Sequence, residues 1–189
     1  KYPRTHDEDI KKLNHEGCDI LFIPRDNKEV FSSIENAQTI NSGVLGSELC
    51  VKIRPGHFDG VLTVVNRLFE IIDPDVAVFG AKDYQQEYLI RQMAKSLYPK
   101  LELIKGPIIR AKNGIALSSR NNYLSDKELE IASNLYKCLH NSYKYYNMNI
   151  DLKIIIKEAN EYLISKHLNP DYFELRDNCL NKIDFNGFD

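Results

Sequence analysis

The chain has 189 residues, of which 43% are hydrophobic, and this is enough for one large core or two smaller cores. Its 25 lysine and arginine residues are balanced by 27 aspartate and glutamate residues, and the net charge of -2 argues against nucleic acids and anionic membranes as partners. We therefore expect small molecules as ligands.

The cysteines and the termini predict where the protein works. Cys18, Cys50, Cys138 and Cys179 lie far apart and form no zinc-ligand pattern with histidine. We expect reduced, mostly buried thiols, as is usual in the cytoplasm. No segment has the length of an apolar membrane span, and the first residues lack the apolar core of a signal peptide. We expect a cytoplasmic protein. Because the sequence lacks an initiator methionine, we expect it to begin partway through a longer protein.

The first third of the chain predicts few regular elements. Thr5 and Glu8 have the spacing of a capping box, which predicts a helix over residues 6–16. The apolar residues 20–23, which a proline follows, predict a short buried strand. Residues 25–57 are rich in glycine and proline breaks and predict loops with at most one small hairpin.

The middle of the chain alternates helices with strands. An apolar stripe predicts a helix that begins at residue 58 and ends before Pro74. The members of the stripe are Val61, Val64, Val65, Leu68, Phe69 and Ile72. Strands are predicted at residues 76–79 and 101–104, with a helix over 84–98 between them. This order is typical of a βαβ unit and a parallel sheet.

After residue 107 the pattern changes, and we expect a domain boundary there. A Lys-Asn-Gly turn predicts a hairpin within residues 108–117. Ser125 and Glu128 form a second capping box, which predicts that a helix begins there.

The last part of the chain predicts three elements. The Asn- and Tyr-rich residues 141–149 predict a turn, and a helix is predicted over about 152–167. Residues 172–175 alternate in polarity and predict a strand.

The first candidate site is the turn after the strand at 76–79, because open parallel sheets bind ligands beyond the carboxyl ends of their strands. Gly80 permits close approach to the backbone, and Lys82 adds a positive charge at a helix N-terminus, which suits a phosphate. Asp83 can accept from ribose hydroxyls, and Gln86 can bind a second polar ligand. The alternative is that Asp83 caps the helix beside a solvated Lys82, and the local sequence alone favours this alternative.

Two further polar clusters are candidate anion sites. Ser118, Ser119 and Arg120 offer two hydroxyls and a bidentate cation to phosphate oxygens, although an ordinary polar turn is the better explanation of this segment alone. Arg54 and His57 flank a Pro-Gly turn and face an anion in one interpretation. In the other, His57 begins a helix and is satisfied by its own turn.

Taken together, these segments resemble the pantothenate synthetase (pantoate-beta-alanine ligase) family. Five motifs in a shared order carry the resemblance, which runs to about Asp177, and make a chance match improbable. They are Tyr-Pro-Arg-Thr at 2–5, Arg-Pro-Gly-His-Phe at 54–58, Pro-Asp-Val-Ala-Val-Phe-Gly-Ala-Lys-Asp-Tyr-Gln-Gln at 74–86, Ile-Arg-Gln-Met at 90–93 and Leu-Ser-Ser-Arg-Asn at 117–121. With this resemblance, the functional interpretation of the three clusters is preferred.

The resemblance implies an α/β fold and an ATP-dependent ligase. Residues 1–107 would form the C-terminal part of a Rossmann-like nucleotidyl-transferase domain with a parallel sheet, and residues 108–189 a small α+β lid domain. Family members join pantoate to AMP with loss of pyrophosphate, and the amine of beta-alanine then displaces AMP to give pantothenate, a coenzyme A precursor. Mg²⁺ accompanies the ATP, and a homodimer is expected.

The resemblance also assigns site residues. The residues expected to contact ATP are Gly80, Ala81, Lys82, Asp83, Ile109, Leu117, Ser118, Ser119 and Arg120. Of these, Lys82, Ser118, Ser119 and Arg120 are the catalytic candidates. Gln86 is expected to hold pantoate, with Arg54 and His57 near its pocket and Tyr2 at the rim. Ala81 stands where glutamate is frequent in the family, which a backbone contact tolerates.

Two family motifs have no counterpart in the chain. The Met-Gly-Ala-Leu-His-x-Gly-His run that opens the family's Rossmann domain is missing, as is the Ala-Arg-Leu-Gly-like closing sequence. We therefore expect a piece of the enzyme with little activity by itself. The alternatives are a nucleotide-binding or oligomerisation module without catalysis, and a different nucleotidyl transferase of the same superfamily.

Overall fold

The computed structural model describes residues 5–31, 39–49 and 54–183, except for the side chains of Asn27 and Ser47. Its helices are α1 (His6–His15), α2 (Asn27–Val30), α3 (His57–Ile72), α4 (Tyr84–Leu97), α5 (Asp126–Asn147) and α6 (Leu152–Ser165). Its strands are β1 (Val76–Gly80) and β2 (Glu102–Gly106). Short 3₁₀ turns cover Val44–Ser47, Ala81–Asp83 and Ser119–Tyr123. Among the helices described, none is long and apolar enough to cross a membrane.

The strands β1 and β2 pair in parallel and are joined by α4. Val76 lies opposite Glu102, and Gly80 lies opposite Gly106. This confirms the predicted α/β fold with a parallel sheet. Because both strands run the same way, both carboxyl ends lie at one edge of the sheet, and Gly80 leads directly into the turn before α4.

A first core lies where α3 and α4 pack together against the sheet. Its buried members are Phe58, Leu62, Phe69, Leu89, Ile90, Met93 and Ala94. The face predicted for α3 is partly wrong, because the side chains of Val64 and Ile72 are 42% and 54% exposed. The buried face includes Asn66, whose Oδ1 accepts a 2.8 Å hydrogen bond from the Tyr98 hydroxyl. A satisfied polar residue can thus belong to a buried stripe, which an apolar pattern does not detect.

A second core lies between α5 and α6. Cys138, Ala159 and Leu163 are buried there, and Leu168 and Phe173 from the following segment pack against them. The predicted turn at 141–149 is largely wrong, because α5 continues to Asn147. The helix continues through this segment although Asn and Tyr have modest helix propensity.

The two remaining strand predictions are wrong. Residues 20–23 and 172–175 have no strand conformation, and no strand within the described ranges pairs with either segment. Ile20 is 86% exposed, so the first segment is not buried as predicted. A strand requires a partner for its backbone hydrogen bonds, and local polarity does not supply one. The hairpin predicted within 25–57 is also absent from the parts of that region that the structure describes.

The cysteines only partly match their prediction. Cys18, Cys138 and Cys179 are free thiols, and of these three only Cys138 is buried. The prediction that the thiols are mostly buried is therefore wrong for the cysteines that the structure describes. Cys50 lies outside the described residues.

The two predicted capping boxes have opposite outcomes. Ser125 forms the complete box, because its Oγ accepts from the Glu128 amide and Glu128 accepts from the Ser125 amide. Thr5 makes no capping bond and instead donates to Asp9 Oδ2 at 3.2 Å. Ser125 has the extended backbone conformation that a capping residue needs, with φ of -68° and ψ of 164°, whereas Thr5 has φ of -124° and ψ of 49°.

Ser125→Ala should therefore lower the free energy of unfolding by about 1 kcal/mol, and the matched change Thr5→Ala by much less. Urea denaturation of both variants at neutral pH measures the difference. Hydrogen bonds from Ser125 lower the pKa of Glu128, so the contribution of this carboxylate exists above its unfolded pKa and disappears as pH falls through its folded pKa. The penalty of Ser125→Ala should shrink in acid, and equal penalties for both variants would contradict the capping geometry.

Candidate active site

A cavity of about 450 Å³ opens at the carboxyl edge of the sheet. Six of the predicted site residues line it, namely Arg54, His57, Lys82, Asp83, Gln86 and Arg120. The other lining residues are Leu49, Phe58, Tyr84, Gln85, Tyr172, Glu174, Arg176 and Leu180. Lys82 precedes α4 and Arg120 precedes α5, so cations from two separate parts of the chain face the same space.

The turn between β1 and α4 forms one wall of the cavity. Lys82 Nζ lies 3.4 Å from Asp83 Oδ1, and the two side chains are 42% and 64% exposed. Asp83 occupies the capping position of α4, but its side chain accepts no capping hydrogen bond. The alternative that Asp83 serves as a helix cap is therefore wrong. An ammonium group, a carboxylate and the positive end of the α4 dipole lie together at the cavity.

The second wall is the turn that begins α3. The His57 amide donates to the Arg54 carbonyl at 3.2 Å and closes the turn around Gly56, which has φ of 72°. The imidazole of His57 packs against Phe58 with ring centroids 5.2 Å apart. These backbone contacts bring the side chains of Arg54 and His57 to the cavity.

The Ser-Ser-Arg turn at residues 118–120 contributes Arg120 to the lining of the cavity. Ser118 Oγ accepts from the Arg120 amide at 3.2 Å, and Asn121 Nδ2 donates to the Ala116 carbonyl at 3.0 Å. These bonds fix the 3₁₀ turn Ser119–Tyr123. Arg120 reaches the cavity, whereas Ser118 and Ser119 are not among its lining residues.

The predicted hairpin at 108–117 is confirmed. Arg110 pairs with Ala116 in an antiparallel bridge, and the Leu117 amide donates to the Ile109 carbonyl at 2.9 Å. Ile109 and Leu117 are 59% and 56% exposed and do not line the cavity. Gly80 and Ala81 are also absent from its lining, and Tyr2 lies outside the described residues.

The sequence interpretation missed four lining residues near the end of the chain, Tyr172, Glu174, Arg176 and Leu180. The first three occupy every second position. They alternate with Phe173, which packs against the second core. The alternation of polarity in this segment therefore has a structural meaning, although the segment is not a strand. Alternate side chains face the cavity, and Phe173 between them faces the second core. An alternating segment can thus indicate a cavity wall as well as a strand.

An ion-pair cluster occupies this third wall. Arg176 Nη1 lies 2.8 Å from Glu48 Oε2, and its Nη2 lies 2.5 Å from Glu174 Oε2. Lys182 Nζ lies 3.6 Å from the other oxygen of Glu48. The hydrogen bond from Arg176 is the main cause that lowers the pKa of Glu48. Glu48 therefore stays ionised at neutral pH.

The hairpin is held against α5 by a stacked pair, which generates a prediction. The Arg110 guanidinium lies 4.1 Å from the Tyr136 ring centre, and a Cβ at Gly114 would lie 2.5 Å from Tyr136 Cδ1. Since Gly114 also has φ of 89°, Gly114→Ala should lower the free energy of unfolding by about 1–3 kcal/mol.

The matched control for Gly114→Ala is Gly60→Ala in α3, where no atom lies within 4 Å of the added Cβ. That change should raise stability by about 0.5–1 kcal/mol, because alanine is the better helix former. Thermal denaturation compares the two variants. Equal effects would mean that the hairpin is not packed tightly on α5.

Comparison with known proteins relates this chain to one family. The model of the pantoate-beta-alanine ligase family matches residues 1–184. The pantothenate synthetase of Psychrobacter cryohalolentis is 42% identical over 184 residues, which cover 97% of this chain and 64% of that protein. The pantoate-beta-alanine ligase of Schizosaccharomyces pombe is 41% identical over 177 residues, which cover 93% of this chain and 62% of that protein.

Solved structures agree with these sequence matches. The Thermus thermophilus pantothenate synthetase superposes with a TM-score of 0.89 at 32% identity, covering 97% of this chain and 67% of that one. A Francisella tularensis pantoate-beta-alanine ligase, complexed with beta-gamma ATP and beta-alanine, superposes with a TM-score of 0.70 at 33% identity, covering 85% and 59%. The chain thus spans about 64% of the length of the first curated relatives. It belongs to the pantoate-beta-alanine ligase family.

Proposed function

We propose that the protein containing this chain condenses pantoate with beta-alanine at the expense of ATP, through a pantoyl-adenylate. The observation that carries this proposal is that Lys82 and Arg120, from separate parts of the chain, line one cavity. The family match supports the reaction, and the ligand pair in the Francisella tularensis relative supports ATP and beta-alanine as substrates.

In this proposal ATP lies along the edge of the sheet. Lys82 and the N-terminus of α4 bind its phosphates, and Asp83 accepts from the ribose. Arg120 approaches the phosphates from the opposite side, with Ser118 and Ser119 beside it. Gly80 and Ala81 give backbone contacts to the nucleotide, and the backbone of Ile109 contacts adenine. Leu117 belongs with the Ser-Ser-Arg turn to the phosphate-binding segment.

Adenylate formation is then mainly electrostatic. A carboxylate oxygen of pantoate attacks the α-phosphorus, and pyrophosphate leaves with the electrons of the broken P–O bond. Negative charge grows on the phosphate oxygens, so Lys82 and Arg120 stabilise the transition state more than the bound substrates. Their positions on two sides of one cavity suit this role.

The second step needs position more than activation. The neutral amine of beta-alanine attacks the acyl carbon of the mixed anhydride, AMP leaves with the electrons of the broken C–O bond, and the new amide nitrogen loses a proton. Holding both groups together supplies most of the rate. Water must be excluded meanwhile, because it can hydrolyse the same anhydride.

Pantoate is assigned to the Gln86 side of the cavity. Gln86 offers both a donor and an acceptor to the pantoate hydroxyls, and Arg54 and His57 supply cationic and donor groups for its carboxylate. Tyr2 remains the prediction for the rim.

Mg²⁺ enters this proposal as the companion of ATP. The cavity offers the carboxylate of Asp83, whereas that of Glu174 is paired with Arg176, and within the described residues no group of three acidic, histidine or cysteine side chains can hold a metal. This donor set fits an ion bound chiefly by phosphate oxygens and water with one or two carboxylates, which is the usual coordination of Mg²⁺.

The organisation of the whole protein is also part of the proposal. The first core falls within residues 1–107 and the second within 108–189, which supports a Rossmann-like domain followed by a lid. The cytoplasmic location and the homodimer stay predictions from the sequence.

Lys82→Met tests the catalytic role of the ammonium group. In the full protein, pantoate-dependent pyrophosphate release should fall about 100-fold or more, as when one charge-stabilising group is removed from an acyl-transfer site. The free energy of unfolding should change by less than about 0.5 kcal/mol, because the side chain is a surface group.

The control for Lys82→Met is Lys95→Met, an exposed lysine in the last turn of α4 that does not line the cavity. It should leave pyrophosphate release nearly unchanged. If Lys82→Met lowers thermal stability while the folded molecules release pyrophosphate at the normal rate, the catalytic role is refuted.

Gln86→Ala separates the proposed reaction from that of another nucleotidyl transferase. The KM for pantoate should rise about tenfold or more while the KM for ATP changes little, because only pantoate loses a hydrogen-bond partner. Steady-state kinetics with each substrate varied gives both constants. A rise confined to ATP would contradict the pantoate assignment, and tight ATP binding by the intact protein without AMP release would favour a binding module.

A further inference from the structure

The segment that ends the described chain connects the two cores. Phe173 packs against the second core, and the next residues, 174–182, contact Glu48, which follows the 3₁₀ turn Val44–Ser47, and Tyr84 at the start of α4. We call residues 174–182 the docking segment. The docking segment thus attaches the second core to the first core, in addition to the peptide chain near residue 107.

Arg176 makes the central contact of the docking segment. Its side chain is only 8% exposed. It donates to Glu48 Oε2 at 2.8 Å, to Glu174 Oε2 at 2.5 Å and to the Leu180 carbonyl at 3.1 Å. Lys182 also faces Glu48, but it is 69% exposed and 3.6 Å away. Most of the ordered contact therefore belongs to Arg176.

The receiving side of this contact is joined to α4. Gln85 is buried, and its Nε2 donates to the carbonyls of Leu45 and Glu48 at 2.8 and 3.0 Å. Next to it, the Tyr84 hydroxyl donates to the Asn178 carbonyl of the docking segment at 3.0 Å. The first turn of α4 therefore holds Glu48 from one side and the docking segment from the other. This is the turn that carries Gln86 and follows Lys82.

Stability alone is a weak explanation for this cluster. Removing charges from water costs about as much as a buried ion pair returns, and apolar residues of the same volume often stabilise as well or better. A guanidinium bound to two carboxylates instead fixes direction and distance, because its donors form a rigid planar fork. The cluster lies on the wall of the substrate cavity, where distance matters for the reaction.

We propose that Arg176, through Glu48, is a positioning residue that holds the wall formed by Tyr172 and Glu174 against the first turn of α4 and so keeps water from the bound acyl-adenylate. The inference rests on the proposed function. Arg176 touches neither reacting atoms nor substrate in this role, since its donors are bound to Glu48, Glu174 and Leu180.

The chemical consequence is uncoupling. When the wall is loose, a water oxygen attacks the acyl carbon of the adenylate, AMP leaves with the electrons of the C–O bond, and the water loses a proton, so pantoate and AMP form. ATP is then spent without pantothenate. The ratio of AMP to pantothenate, which is one in a tight site, rises above one.

The test uses the full protein with Glu48→Gln, Arg176→Gln and the double variant. Each single change should raise the ratio of AMP to pantothenate at least threefold at saturating ATP and pantoate, while pyrophosphate release changes less than twofold. The double variant should be no worse than the singles, because all three lack the same contact. Arg176→Lys, which keeps the charge, should restore part of the coupling.

Lys182→Gln is the matched control, because it removes a charge from the same carboxylate through a longer and more exposed contact. It should leave the ratio near one. A ratio that stays near one in folded Glu48→Gln and Arg176→Gln, whatever happens to their melting temperatures, would overturn the positioning role. Glu48→Gln keeps the side-chain volume, so it gives a folded variant even where Arg176→Gln does not.

A second measurement does not depend on ligase activity. Hydrogen exchange should become at least threefold faster in Glu48→Gln than in Lys182→Gln, both in the docking segment and in the first turn of α4. Equal exchange in both variants would overturn the inference. If the unmodified protein forms no pantoyl-adenylate but exchange follows this pattern, the proposed function fails and the structural link between Arg176 and the wall remains.

Discussion

The parallel pairing of β1 with β2 is the constraint on which the site depends. It places the carboxyl ends of both strands at one edge and requires a crossover, which α4 provides. The crossover begins directly after β1, so the positive end of α4 and Lys82 lie where the strand ends. A chain folded as an antiparallel hairpin would have no such edge. The position of the candidate site thus follows from strand direction before any catalytic side chain is considered.

Other residues that line the cavity come from positions far along the chain from Lys82. The turn carrying Arg120 and the wall carrying Glu174 both belong to the part of the chain after residue 107, which also contains the second core. The connection near residue 107 alone would let that part rotate, because one covalent link fixes few degrees of freedom. Contacts of the docking segment with Glu48 and Tyr84 remove much of that freedom. The geometry of the cavity at the sheet edge therefore depends on contacts distant in sequence.

Features set by neighbouring residues were predictable, and features set by distant ones were not. The periodicity of α3 and α4, the β1–α4–β2 order and the capping box at Ser125 are local, and the structure confirms them. Whether residues 20–23 pair, and which face of α3 is buried, depends on partners that a local pattern does not contain. At the site, motif likeness pointed to Lys82 and Arg120. Glu48 and Arg176 were missed, because an ion pair across 128 positions leaves no local signal.

The cationic side chains around the cavity differ in exposure and in how closely carboxylates pair with them. Arg176 is almost wholly buried and is bound by Glu48 and Glu174, and with Lys182 the cluster has a formal charge of zero. A neutral cluster adds little positive potential for a triphosphate, because opposite charges a few ångströms apart largely cancel at longer range. Lys82 is far more exposed and contacts Asp83 only at 3.4 Å. In the proposed function, Lys82 and the start of α4 therefore attract the phosphates, and the docking segment holds the geometry of the cavity without competing for the nucleotide.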